Sequence, residues 1–262
     1  MEKRWALNEQ GAKEISESLA LALNIDECLA QILVQRGITN FEDARYFFRP
    51  TLTQLHDPFL MKDMEQAITR ITKALQNGEK IMVYGDYDVD GTTSVALTYS
   101  FFSQFTSNIA YYIPDRHKEG YGISTTGIDF AAENGFTLII ALDCGIRSVD
   151  KIEHANSLGV DFIICDHHLP GETLPAAVAV LDPKRADCEY PFKELSGCGI
   201  GFKLAQAYCT AKDLPDELYE RYLDLCMVSI AADIVPIVDE NRVMAYYGLL
   251  KLNENPSTGL KA

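Results

Sequence analysis

In four places along this chain an apolar, β-branched run ends in acidic or imidazole side chains. Ile81-Met82-Val83-Tyr84 leads into Gly85-Asp86-Tyr87-Asp88-Val89-Asp90-Gly91, and residues 137–142 lead into Asp143-Cys144-Gly145. Residues 161–165 are followed by Asp166-His167-His168, and residues 177–181 by Asp182-Pro183. Further on, Asp233 stands in Ala-Ala-Asp-Ile-Val-Pro at the end of a helical stretch. Carboxylate oxygens with one or two imidazoles suit Mn²⁺ or Mg²⁺, whereas a thiolate-rich set would point to zinc or iron–sulfur. Two such ions about 3.5–4 Å apart can activate a water and stabilise the charge that builds on a phosphate during in-line attack. Taken singly, an Asp after a strand is most often a turn or cap residue, and Asp182, with proline behind it, fits that description best. The joint placement is the signal, because independent turn residues need not be so uniformly acidic.

The elements that must position these groups alternate regularly. Residues 81–84, 109–113, 137–142, 161–165 and 177–181 read as strands. Between them lie helices at about 92–105, from a Ser124 cap to Asn134-Gly135, and from a Ser148 cap to Gly159. Residues 199–211, 216–232 and 241–253 also read as helical. This pattern predicts an α/β fold, a mostly parallel β-sheet flanked by helices on both faces. Ligands of such sheets bind beyond the carboxyl ends of the strands, where the acidic residues stand. Residues 1 to about 75 read as a helical amino-terminal arm, with Leu29, Ile32 and Leu33 at helical spacing. Gly37-Ile38-Thr39-Asn40 is a stop and restart, Pro50 and Pro58 break the next segment, and a helix at about 64–75 ends at Asn77-Gly78.

The bulk composition sets limits on function. A chain of 262 residues with 47% hydrophobic and 23% charged content is an ordinary globular sequence. The opening MEKRWALNEQ has no apolar stretch behind a basic start, so no secretory signal is expected, and no apolar run is long enough to cross a bilayer. Seven cysteines lie singly, without a C-x-x-C pair, which suggests reduced thiols in a cytoplasmic protein; Cys144 and Cys165 are read as packing residues. The 23 basic against 38 acidic side chains leave a net charge of −15. Nucleic-acid binding normally requires clustered Lys and Arg, so this balance argues against a self-sufficient DNA binder. It leaves room for a catalytic module, because a pocket for two divalent ions is rich in carboxylates and its metals supply positive charge where it is used.

Two other readings of Asp86-x-Asp88-x-Asp90-Gly91 fall away. As a calcium loop it lacks the bidentate Glu at its twelfth position, which is Leu97, and a strand precedes it where a helix is needed. Asp88-Val89-Asp90-Gly91-Thr92 is similar to the phosphoaspartate phosphatases of the haloacid dehalogenase type, which have no use for the Asp-His-His segment. The stretch from Val83 to Thr92, taken with Asp166-His167-His168, resembles the signatures of the DHH phosphoesterase superfamily. Ile113-Pro114-Asp115-Arg116, Glu119-Gly120-Tyr121-Gly122, Leu195-Ser196-Gly197-Cys198-Gly199 and Ala232-Asp233-Ile234-Val235-Pro236 narrow the resemblance to its RecJ branch.

That resemblance implies a metal-dependent 5′-to-3′ exonuclease on single-stranded DNA, serving recombination and repair, with repair or replication proteins as further partners. By motif position it implies Asp88, Asp90, Asp143, His167 and Asp233 as ligands of two Mn²⁺ or Mg²⁺ ions, with Asp143 the bridge. It places His168 near the scissile phosphate and Arg116 as a phosphate contact, a task suited to a guanidinium fork. Asp86 and Asp166 become groups that orient the ligands by hydrogen bonds. Many members have a His four residues before the position of Asp88; here it is Tyr84, which implies that one ion is held less completely. The family continues into a second, phosphate-binding domain. The expected layout is therefore an arm at 1–75, the phosphoesterase domain at 76–240, and at 241–262 the start of a connecting helix, with weak activity for this chain alone. The competing functions are a phosphodiesterase of short oligonucleotides or cyclic dinucleotides and a non-catalytic replication or repair scaffold.

Overall fold

The structure is a computed structural model that describes Arg4 and residues 13–262; the readings made for residues 1–12, Arg4 apart, lie outside the described residues. The chain divides into two compact units between Leu52 and Thr53. The first contains α1 (Lys13–Leu23), α2 (Glu27–Gln35) and α3 (Phe41–Phe48). Asp26 caps α2 by accepting from the Cys28 amide at 2.8 Å, and Asn40 caps α3 by accepting from Asp43 at 2.9 Å. The stop and restart at 37–40 is therefore where the sequence places it. Its core is Leu19, Ala30, Leu33, Ile38 and Ala44. Leu29 and Ile32 lie outside that core and are about half exposed, because the buried stripe of α2 runs through Ala30 and Leu33 instead.

The second unit begins well before the boundary near residue 75 that the sequence suggests. Its first long helix, α4 (Met64–Gln76), packs on the strands and helices that follow rather than closing an arm. Arg70 of this helix is the anchor: its guanidinium reaches Asp161 at 2.6 Å and Glu79 at 2.7 Å. Then come β1 (Lys80–Gly85), α5 (Val89–Phe102), β2 (Ile109–Tyr112), α6 (Thr125–Glu133), β3 (Phe136–Leu142), α7 (Val149–Ser157), β4 (Asp161–Cys165) and β5 (Ala179–Leu181). The strands form one sheet in the order β2-β1-β3-β4-β5, and every pairing is parallel. Consecutive side chains face opposite layers. Met82, Tyr84, Ile139, Ala141, Phe162 and Ile164 share one core cluster with Ile128 of α6 and Ile152 of α7. The other face is covered by α5 and by α8 (Gly197–Lys212). Right-handed crossovers account for the two-sided cover: the path from β1 to β2 runs opposite to those from β2 to β3 and β3 to β4.

Because the order reverses at β1 and β3, a crevice opens beyond their carboxyl ends, where the acidic loops emerge. The remaining helices are α9 (Glu217–Glu220), α10 (Leu223–Asp233), α11 (Asp239–Glu254) and α12 (Thr258–Lys261). The single helix expected over 216–232 is broken in two; Tyr219 packs its ring on Phe202 at 5.2 Å and Tyr222 meets Gln104 at 3.3 Å. A buried ion pair ties α8 to α11. Lys203 Nζ donates to Glu240 at 2.8 Å and to the His56 carbonyl at 2.6 Å, while Glu240 also accepts from the Tyr190 hydroxyl and the His56 amide. Among the described residues, no helix is long and apolar enough to cross a membrane.

Candidate metal centre

The first acidic loop is partly helix. Its Asp88 caps α5, accepting from the Gly91 amide at 2.8 Å, so the helix starts at Val89 rather than near Thr92 as the sequence suggests. Two residues apart at a helix start, Asp88 and Asp90 cannot face the same way. Asp88 stays exposed, whereas Asp90 is 3% exposed and points into the protein. There the first turn of α8 receives it: the Gly197 and Cys198 amides donate to its two oxygens at 2.7 and 2.8 Å. Ser229 of α10 adds a third bond at 2.7 Å and is itself 2.6 Å from the Ser196 hydroxyl. A helix N-terminus favours negative charge, so this carboxylate is held in a fixed pose. Sequence reasoning placed Ser196-Gly197-Cys198 in a motif but gave it no task, and it missed Ser229. A serine capping a Gly-x-Gly helix start was the available signal.

Asp143 follows β3 with φ at +59°, a left-handed conformation uncommon for a residue with a side chain. Its carboxylate lies against Gly197, where an added Cβ would come within 2.6 Å of the Asp143 Cβ. Glycine is required there because the strand-end Asp and the helix start touch. Burial first, then the charges of Asp90, Asp88 and Asp166, pushes the Asp143 carboxyl up to about 10. Burial likewise raises Asp233, opposed by His167. Carboxylates packed this closely demand a cation.

His167 stands where these carboxylates converge. Its Nε2 lies 3.0 Å from Asp143 Oδ1, 3.6 Å from Asp90 Oδ2 and 3.7 Å from Asp233 Oδ2. Neither nitrogen of this buried ring, nor Asp143 Oδ1, makes a hydrogen bond. Buried polar atoms are nearly always paired, so convergent unpaired donors are what a metal site leaves when only its protein atoms are considered. Ligand atoms of Asp90, His167 and Asp233 lie within 4.8 Å of one another, and so do those of Asp143, His167 and His168. The residues fit a hard divalent ion by donor type and by geometry. Asp88 falls in neither group, although its charge is felt by Asp143 and Asp233.

Asp166 organises the histidine pair. It is buried and accepts from the His167 and His168 amides, from His168 Nδ1 at 2.7 Å, and from the Ile146 amide at 2.9 Å. Burial opposes its ionisation, but these bonds win and hold its carboxyl below the usual range. The same bond to Asp166 raises His168 towards its protonated form. Asp86 has a different task from the one expected, because it binds a loop rather than a ligand. Its oxygens accept from the Tyr87 amide at 2.6 Å and the Gly122 amide at 2.9 Å. Tyr84 acts on that loop too, donating its hydroxyl to the Gly122 carbonyl at 2.9 Å and accepting from the Ser124 amide at 3.0 Å. The loop so held carries Arg116, whose guanidinium sits 5.3 Å from the Tyr87 ring, and Tyr121, whose ring meets Tyr87 and His168 edge-on. Asp182 is buried and opens a turn to Lys184, as its sequence suggests. Burial pushes the thiols of Cys144 and Cys165 up, which leaves both as packing groups.

Known proteins share this sequence pattern and this fold. Residues 80–230 match the DHH family, N-terminal domain. The chain is 43% identical over 258 residues to the single-stranded-DNA-specific exonuclease RecJ of Bacillus subtilis (strain 168), covering 98% of this chain and 32% of that protein. To the Escherichia coli (strain K12) protein of the same name it is 33% identical over 261 residues, covering 95% and 44%. The crystal structure of an exonuclease RecJ bound to manganese superposes with a TM-score of 0.72 at 30% identity, over 80% of this chain and 52% of that one. RecJ of Thermus thermophilus in complex with Mn²⁺ gives 0.81 at 26% identity, over 98% and 36%. The chain thus spans a third to about half the length of these relatives. With more than half of its residues matched to that pattern, and the strand order and acidic strand ends in place, this chain belongs to the DHH family.

Proposed function

We propose that this chain is the catalytic domain of a divalent-metal-dependent exonuclease that hydrolyses phosphodiester bonds of single-stranded DNA from the 5′ end, in recombination and repair. The observation that carries the reading is the unpaired, buried His167 ring with three carboxylates within 4 Å of its Nε2. Asp90, Asp143, His167 and Asp233 would hold one Mn²⁺ or Mg²⁺, and Asp88 with Asp143 a second, less completely ligated ion. Such ions supply Lewis acidity and positive charge for phosphodiester hydrolysis. The chain's own residues do the rest. Asp90 is fixed by α8, Asp166 orients His167 and His168, and the Asp166-bound, half-exposed His168 ring can donate to a phosphate oxygen. Arg116 has no carboxylate partner among the described residues and is free to meet the strand, stacked on Tyr87. A cytoplasmic location suits the seven free cysteines.

The test is degradation of 5′- and 3′-labelled single strands, duplex and dinucleotides by this chain with Mn²⁺, beside Asp143→Ala. Mononucleotides released from the 5′ end of single strands, and lost in the variant, are expected. Preference for dinucleotides would favour the small-substrate phosphodiesterase, and cleavage that survives in Asp143→Ala would remove the site assignment. Calorimetric Mn²⁺ binding by the parent without cleavage of any of these substrates would favour the scaffold.

A further inference from the structure

The cleft beside the ligand groups has basic side chains, Arg147, Lys151 and Lys184, along its lining. Its volume is about 670 Å³, and it runs from Tyr121 and the histidine pair to Arg147, Ser148 and Lys184. Small-ligand sites commonly occupy roughly 300–1,000 Å³. We propose that the loop Gly145-Ile146-Arg147-Ser148 forms a second phosphate subsite, in which Arg147 grips a non-scissile phosphate of the nucleic-acid strand. This rests on the single-strand nuclease reading given above.

Arg147 is fixed but not neutralised. Its Nε donates at 2.7 Å to the carbonyl of Leu169, on the loop that carries His167 and His168, and no carboxylate pairs with its terminal amines among the described residues. The contrast lies within the same unit. Arg70 is matched by Asp161 and Glu79, and Arg185 by Asp63 and Asp187. In a protein of net charge −15, an unmatched guanidinium at the mouth of the catalytic cleft is placed for an anion. The loop itself is held in place: Asp166 accepts from the Ile146 amide at 2.9 Å, and Gly145, at φ +113°, takes a backbone conformation that residues with side chains rarely adopt. Ser148 starts α7 without a side-chain capping bond, so the first-turn amides remain available on the same wall. Lys151 and Lys184 are already engaged, by Asp150 at 3.5 Å and Glu194 at 3.2 Å, which makes Arg147 the principal contact. The unpartnered, buried His167 lines the same cleft, so a phosphate on Arg147 and one at the metal centre would belong to one strand.

The experiment measures binding of a fluorescent, phosphorothioate single-stranded oligonucleotide across a NaCl series at fixed Mn²⁺, for the parent and Arg147→Gln. Mn²⁺ binding is followed separately by calorimetry. The variant is expected to bind the strand about 5- to 20-fold more weakly, with a salt slope shallower by about 0.7, the share of one phosphate contact on a single strand. Its Mn²⁺ isotherm should match the parent. Equal affinity and slope would overturn the subsite and leave the nuclease reading standing. Weaker binding at an unchanged slope would also overturn it, because Arg147 would then act only as a strut to Leu169. A parent that binds no single strand, yet takes up Mn²⁺, would remove the nuclease reading and the subsite with it.

Discussion

Asp143 makes the stability of the metal-free fold fall as the pH rises. Burial and the neighbouring carboxylates push its carboxyl up to about 10 in the fold, against an ordinary value near 4 in the unfolded chain. For an acid shifted upwards, stability is full below the unfolded value and falls as the pH rises towards the folded one. Between pH 5 and 8, three units at about 1.4 kcal/mol each amount to roughly 4 kcal/mol for the chelated protein. For a chain of this size that lowers the melting temperature by on the order of 10 °C. Asp143→Asn removes the charge while keeping the shape, so in EDTA its melting temperature should fall much less over the same pH range. Mn²⁺ should reverse the order, stabilising the parent at pH 8 and leaving the variant nearly unmoved. Thermal unfolding followed by circular dichroism, with EDTA or Mn²⁺ at pH 5 and 8, reads all four conditions for both proteins. Parallel pH curves for the two in EDTA, or equal stabilisation of both by Mn²⁺, would refute the claim that Asp143 keeps its proton in the fold until a cation replaces it.

Two further perturbations separate scaffold from site. Lys203→Met leaves Glu240 buried without its cation and should cost about 3–5 kcal/mol in urea unfolding, and Lys203→Met with Glu240→Leu should recover much of it. A single variant as stable as the parent would show that the pair does not tie α8 to α11. Tyr84→Phe deletes the hydroxyl shared by Gly122 and Ser124 and should cost about 1–3 kcal/mol. Its larger effect should be on single-strand affinity through the loop of Arg116 and Tyr121, with Mn²⁺ binding unchanged; weaker Mn²⁺ binding instead would make Tyr84 part of the metal site.

The strands were legible because each is an apolar run bounded by turn residues, and parallel pairing followed from their regular alternation with helices. Placing the acids at strand ends needed nothing more, since a parallel sheet brings all its carboxyl ends to one edge. The boundary between the units was less legible. Helix α4 looks like the end of an arm until Arg70 is seen to join Asp161 and Glu79, residues 91 and 9 positions away. Similarly, the exposure of Leu29 and Ile32 depends on which stripe of α2 meets α1 and α3, and spacing alone does not choose between stripes.

What the sequence determined by itself was the donor chemistry. Oxygen and imidazole groups at fixed offsets from strands select a hard divalent ion, and no later fold can change those atoms. Tertiary structure decided which of them converge. Asp88 and Asp90 are alike in the sequence, yet one is an exposed helix cap and the other is clasped by amides 107 and 108 residues away and by a hydroxyl 139 residues away. Tyr84 sits where a metal ligand would be looked for and instead fixes a loop, because its hydroxyl lies between Gly122 and Ser124. Hydrogen bonds of such long sequence separation leave no periodicity behind them. They arise only when α8 and α10 pack on α5, with α8 also against β3, and that packing brings the separate acids together.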